Sequence, residues 1–346
     1  MDADDIRDML RDVEDPDLGD DIVSLNLVNE IEVDGDRVHV DLALGAPFAP
    51  HETEIADQVR DVLEDAGFEP ELSASIERDV SRAEDVLPDV TNIIAVASGK
   101  GGVGKSTIAV NIAAGLADRG AKVALFDADI YGPNVPTMVG ADEPPEATPD
   151  ETLIPPEKYG MKLMSMAFLI GEEDPVIWRG PMVDKMLTQF WDIVEWGELD
   201  YMIVDLPPGT GDTQLSLLQS VPVTGAVIVT TPQDVALHDA RKGLEMFGSH
   251  ETPVIGIAEN MGTFVCPDCG AEHAIFSEGG GQRFAKEHEM PFLGSIPLDP
   301  AVRTGGDEGT PIVLDGDSET GAAFRELTDN VANNVGIINR RRQSQK

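Results

Sequence analysis

The sequence predicts an α/β protein: a large domain on a mostly parallel sheet covered by helices on both faces, preceded by a small α/β domain. Three observations predict it. Six apolar runs, NIIAVAS, KVALFDAD, YMIVDLPPG, GAVIVTTP, PVIGIAENM and PFLGSIP, alternate with helix-length segments. Near-continuous apolarity means strands buried on both faces, and their alternation with helices is the pattern of a parallel sheet. The first run leads directly into Gly99-Lys100-Gly101-Gly102-Val103-Gly104-Lys105-Ser106. The segment ahead of it has a different rhythm of short helix, alternating strand, helix and strand.

In chain order, an acidic helix is expected near Ile6 to Val13, then the alternating strand Arg37 to Leu44, a helix from His51 to Ala66 and a strand near Glu71 to Ile76. Glu77 to Asp89 is polar, carries Pro88 and lacks apolar periodicity, which marks a linker. The expected organisation is a small domain over 1–80, a linker over 81–91, the P-loop domain over 92–338 and a basic tail over 339–346. Ala141 to Pro156, rich in Pro and acid, reads as a surface loop, and the closing INRRRQSQK as a frayed, solvated end.

Charge narrows the function classes. With 24 Lys plus Arg against 65 Asp plus Glu, the formal net charge is -41. A field this negative repels polyanions, so neither nucleic acid nor an anionic membrane is an expected partner. No apolar run approaches the ~20 residues of a membrane span, and the acidic start is unlike a signal peptide. A cytoplasmic protein is expected. The carboxylates are spread along the chain, Asp outnumbers Glu and Lys is scarce, which predicts life in high intracellular salt, where screening shortens charge repulsion.

The Gly-rich stretch fits G-x-x-x-x-G-K-[ST] and sits between a strand and the helical TIAVNIAAGLADRG, the context that gives the motif meaning. Its backbone N–H groups, through Thr107, can close around phosphate oxygens at a positive helix end. Lys105 reaches the outer phosphates, and the Ser106 hydroxyl ligates Mg²⁺. Asp127 and Asp129 end the strand AKVALFDAD, and Asp205 ends YMIVDLPPG, at the sheet edge where ligands collect. Asp205 is the expected carboxylate holding Mg²⁺ through water. Leu206 to Asp212, LPPGTGD, has the composition of a switch responsive to the γ-phosphate.

Cys266 and Cys269, the only two cysteines, stand in C-P-x-C-G, a knuckle spacing suited to Zn²⁺ or iron and also open to a redox dithiol. A metal centre of this kind takes four ligands, and one chain offers two thiols. Closure within one chain would need His273 or other donors, whereas two chains about a twofold axis would supply four cysteines.

GKGGVGKST resembles the deviant phosphate loop of the MinD/ParA/nitrogenase-iron-protein class. That resemblance implies that Lys100 crosses a dimer interface to the partner's nucleotide, that Asp129 positions the attacking water with Asp127 in support, and that Asn260 bonds the adenine edge, favouring ATP. Taken together, ASGKGGVGKST, FDADIYGPNVPTMVG, WRGPM, YMIVDLPPGTGD, ENM and FVCPDCG followed by IFSEGGG resemble the Mrp/ApbC-type iron–sulfur cluster carriers over residues 91–336. The resemblance implies a homodimer bridging a [4Fe–4S] cluster between the Cys266 and Cys269 pairs, slow ATP hydrolysis, and delivery of the cluster from an assembly scaffold to apo-protein clients. The N-terminal segment resembles the small PaaD/SufT-like domain. It departs from that family in the loop LGAPFAPHETEI, which has no cysteine, so client or domain docking is expected there in place of ligation. Two rivals share parts of the pattern: a ParA/MinD-like positioning ATPase with a structural zinc knuckle, and a nitrogenase-iron-protein-like electron donor.

Overall fold

A computed structural model describes residues 1–76, 86–130, 132–168, 180–266, 269 and 271–345, without the side chains of 180–185 and 212–213. The chain forms two compact units: residues 81–331, and residues 1–80 with 332–346.

The smaller unit opens with the helix Ala3–Met9, capped by the Asp2 side chain and extended by a 3₁₀ turn Leu10–Asp12. Strands β1 (Val28–Asp34), β2 (Arg37–Leu42) and β3 (Glu69–Ala74) form a sheet, antiparallel between β1 and β2 and parallel between β2 and β3. The helix Pro50–Asp65 makes the β2–β3 crossover and buries Ile55, Val59 and Leu63 against Val38, Val40 and Leu42.

The larger unit contains β4 (Val90–Ala97), β5 (Val123–Asp127), β6 (Glu146–Ala147), β7 (Leu153–Ile154), β8 (Glu157–Lys158), β9 (Met161–Ser165), β10 (Leu199–Asp205), β11 (Gly225–Thr230), β12 (Val254–Glu259), β13 (Phe264–Val265), β14 (Glu272–His273) and β15 (Phe292–Ser295). Its main sheet runs β15-β12-β11-β4-β10-β5-β9-β8, parallel except for the β8–β9 pair. All six apolar runs are strands of this sheet. The β4→β5 connection passes over β10, whereas β11, β12 and β15 lie on the other side of β4, so the order reverses at β4. In such sheets that switch point opens a crevice at the carboxyl ends. The stretch 141–156 holds the β6–β7 ribbon.

Two expectations are corrected. The expected tail over 339–346 is not frayed through residue 344: the helix Glu319–Ser344 includes 339–344, and Arg340 is fully buried in the smaller unit. Its Nε donates to Asp15 at 2.6 Å, Nη1 to Glu52 at 3.0 Å and Nη2 to Asp17 at 2.6 Å. The Asn339 amide donates to the Gly45 carbonyl, which fixes the same turn. Burial pushes the Glu52 carboxyl up, against the pull of Arg340. The expected linker 81–91 is also too long. Residues 81–85 lie outside the described residues, but Leu87 is already buried in the core and Val90 begins β4.

Candidate nucleotide and thiol sites

β4 delivers the chain to the phosphate loop, and the helix Lys105–Asp118 carries it away. Gly102 and Gly104 both have φ +81°, a left-handed conformation that favours glycine. Gly104 has a second reason to lack a side chain, because a Cβ there would meet the Asn260 amide nitrogen. A Cβ at Gly99 would strike the backbone of Asp239 in the helix Asp234–Ser249. The helix after the loop is apolar nearly all round and buried, which holds its N-terminus against the site.

The phosphate loop lines a cleft of about 520 Å³ together with Asp129, Asn260, Met261, Leu298 and Arg303. Lys100 is half-buried on its wall, Thr107 follows the loop into it, and Gly101 is exposed at its lip. Lys105 is 6% exposed and its Nζ donates to Asp205 Oδ1 at 2.5 Å and to Ser106 Oγ at 3.4 Å. Asp205 is fully buried and its other oxygen, Oδ2, has no hydrogen-bond partner among the described residues. A buried carboxylate oxygen without a donor beside a Ser hydroxyl is a donor set that suits a hard divalent cation with water in its shell. The residues therefore fit Mg²⁺.

Asp127 faces Asp205 across the β5–β10 pairing. It is fully buried and accepts three hydrogen bonds, from the Asp129 N–H at 3.1 Å, the Val135 N–H at 3.2 Å and the Ser165 hydroxyl at 3.0 Å. Burial first, and the Asp205 charge second, push its carboxyl up to about 7. Asp127 thus organises the loop that carries Asp129 into the cleft. The loop after Asp205 is tied to the phosphate-loop strand, with the Gly209 N–H donating to the Ser98 carbonyl at 2.9 Å. The Ser98 hydroxyl in turn donates to the Lys100 carbonyl. Asn260 stands at the end of β12, and its Nδ2 donates to the Val103 carbonyl at 2.9 Å.

The structure brings Lys100, Lys105, Ser106, Thr107, Asp129 and Asn260 to one cleft, with Asp205 and Asp127 beneath it. The thiols lie elsewhere on the same unit. Cys266, half-buried, and Cys269, exposed, belong to the β13–β14 hairpin, where the Cys266 N–H donates to the Ala271 carbonyl at 2.9 Å. His273 is exposed on β14. Among the described residues no group of three or more His, Cys, Asp or Glu is placed to share a metal ion. Sequence reasoning missed Ser98, Ser165 and the Leu298 and Arg303 wall. The rule that ligands collect at strand carboxyl ends points to Ser98 after β4 and Leu298 after β15. Ser165 ends β9, which carried no apolar signal strong enough to be read.

Comparison with known proteins covers both units. Residues 89–332 match the NUBPL iron-transfer P-loop NTPase family, and residues 3–69 match a family described as iron–sulfur cluster assembly protein. An iron–sulfur cluster carrier protein of Synechocystis is 44% identical over 341 residues, covering 95% of this chain and 96% of the relative. One from Escherichia coli K12 is 41% identical over 326 residues, covering 92% and 88%. A nucleotide-binding protein from Archaeoglobus fulgidus, solved with ADP and with cobalt found in it, matches with a TM-score of 0.59 at 38% identity over 66% of this chain and 90% of that one. The cell division ATPase MinD of Pyrococcus furiosus shares the fold, with a TM-score of 0.52 at 23% identity over 69% and 98%. On these matches, which span both units, the chain belongs to the iron–sulfur cluster carrier family of P-loop NTPases.

Proposed function

We propose that this chain binds and slowly hydrolyses ATP as a cytoplasmic homodimer, holds a [4Fe–4S] cluster as cargo between the Cys266 and Cys269 pairs of two subunits, and passes it from an assembly scaffold to apo-protein clients. One observation carries the reading: β12 leads at once into Asn260 in the nucleotide cleft, and the same chain continues directly into the thiol hairpin. Two thiols satisfy half of a four-ligand cluster, so a second copy of the chain completes the set.

The residues divide the work as follows. Backbone N–H groups of residues 101–107 cradle the phosphates at the helix N-terminus. Lys105, paired with Asp205 in the free protein, exchanges that carboxylate for the outer phosphates when nucleotide binds. Ser106 and, through water, Asp205 would hold the magnesium ion, which when bound neutralises phosphate charge. Asp129 orients the attacking water, and Lys100 reaches the partner's nucleotide. The Asn260 amide nitrogen is held by Val103, which leaves Oδ1 to accept from the adenine amine. A guanine carbonyl at that place would repel it, which favours ATP.

Lys100→Ala is the informative variant, because it removes a half-buried cation without leaving a buried carboxylate unpaired. It should keep nucleotide binding while losing nucleotide-dependent dimerisation, hydrolysis and cluster transfer to an apo-ferredoxin. Transfer and hydrolysis at the parent rate would contradict the shared site.

A further inference from the structure

Glu259, the last residue of β12, is 2% exposed and has no task in the account above. Its Oε2 accepts the Gly281 N–H at 2.6 Å and its Oε1 accepts the Ser295 hydroxyl at 2.8 Å. Gly281 lies in the first turn of the helix Gly280–Glu287, which follows the thiol hairpin. A Cβ on Gly281 would come within 2.9 Å of the Glu259 Cβ, so the contact is close as well as polar. Ser295 ends β15, whose continuation is bonded to the chain entering the hairpin. The Gly262 N–H donates to the Ile296 carbonyl at 2.9 Å, the Leu298 N–H donates to the Thr263 carbonyl at 3.1 Å, and Phe264 is bridged to Leu298. One buried carboxylate therefore bonds the helix that follows the hairpin and the end of β15, whose continuation in turn pairs with the chain entering the hairpin that carries Cys266 and Cys269.

The residues next to Glu259 reach the phosphate loop. Asn260 Nδ2 is bonded to the Val103 carbonyl, and a Cβ on Gly104 would lie 2.0 Å from that nitrogen and 3.9 Å from Met261 Cε. Met261 has φ +56°, an uncommon conformation for a residue with a side chain, which turns the chain sharply from cleft to hairpin. The loop after Asp205, which has the composition of a switch, bonds to Ser98 just ahead of the phosphate loop. The end of β12 bonds to the phosphate loop and to the hairpin's flanks alike.

We propose that Glu259 is the positioning residue through which the state of the phosphate loop reaches the Cys266/Cys269 hairpin. Movement of Val103 and Gly104 as phosphates bind shifts Asn260, and the end of β12 transmits that shift through the carboxylate to Gly281 and Ser295. The use of this link, to change how tightly cargo is held, rests on the carrier function proposed above. The link itself is testable without a cluster.

Because the chain has only two cysteines, the alkylation rate of the reduced, iron-free, full-length protein reads the hairpin alone. The rate with iodoacetamide is measured with and without saturating Mg-ADP or a non-hydrolysable ATP analogue, alongside nucleotide affinity. In the parent, nucleotide should change the rate about fivefold or more. Glu259→Leu, which removes both acceptors at similar volume, should abolish that response with nucleotide Kd held within about twofold. Ser295→Ala, which removes one of the two bonds, should give an intermediate response and decides the matter if the Leu variant does not fold. An undiminished response in these variants overturns the proposal, as does a parent whose thiols ignore nucleotide. A Glu259-dependent response in a protein that takes up no iron would leave the link standing and remove the carrier reading.

Discussion

Replacing Arg340 by Met removes the guanidinium that stands between Asp15, Asp17 and Glu52, while keeping an apolar stem of similar length. Asp15 is 1% exposed and Glu52 5%, so in the variant two buried carboxylates and a third beside them face one another without their cation. Removing one partner of a buried ion pair costs about 3–5 kcal/mol, because the remaining charge has no solvation to return to. Salt offers little relief to buried groups. The deficit should be largest near neutral pH. Without Arg340 the Glu52 carboxyl, already pushed up by burial, rises further, so its protonation in acid recovers part of the loss. Every Trp and Tyr lies between residues 131 and 201, so fluorescence is blind to this unit. Amide hydrogen exchange of β1–β3 and the helix Pro50–Asp65 at fixed KCl is the assay. Protection there should fall by about two to three and a half orders of magnitude, at 1.4 kcal/mol per tenfold. Exchange within about threefold of the parent would refute the burial of Arg340 and return residues 339–346 to the status of a tail.

Three further outcomes are expected. Burial and the neighbouring Asp205 charge raise the folded Asp127 carboxyl from its ordinary 3.8 to about 7, so the folded state binds the extra proton, and its stabilising share is lost as pH rises from about 4 to 7. Asp127→Asn, which misplaces an amide against N–H donors, should be destabilised, and its deficit should narrow by up to about 4 kcal/mol across that window in urea titrations. A constant deficit would contradict the raised value. Asp129→Ala should slow hydrolysis by about 10² or more with nucleotide affinity changed by less than about threefold, and equal losses in both would remove its water-positioning role. Lowering KCl from molar to about 0.1 M should lower the unfolding midpoint of a chain with net charge -41, and a midpoint indifferent to KCl would make it an ordinary acidic protein.

The parts of the fold that were legible in the sequence share one cause. Central strands such as β4, β10 and β11 are buried on both faces, so they appear as continuous apolar runs that no other element of this length produces. β1 was not readable, because only Val28 of its seven residues is buried and a bulge between Val28 and Glu30 breaks the alternation. β9 hid behind Lys162 and Ser165, the latter polar because it serves Asp127. The phosphate loop was legible because its chemistry is local: eight consecutive residues supply lysine, hydroxyl and turn. The Arg340 cluster was not, because a cation near one end of the chain is explained only by carboxylates near the other, and no spacing along the sequence records that meeting. Asn260 lies between these cases. Its place at a strand end was readable, but its bond to the Val103 carbonyl was visible only in three dimensions.

Iron, acid-labile sulfide and zinc per dimer, measured on protein purified without air in high KCl, test the central claim most directly. About four irons and four sulfides per dimer are expected for one bridged cubane cluster, absent in Cys266→Ala. Stoichiometric zinc with no iron, persisting after anaerobic reconstitution, would contradict the account and make the hairpin a structural knuckle beside a nucleotide-hydrolysing site.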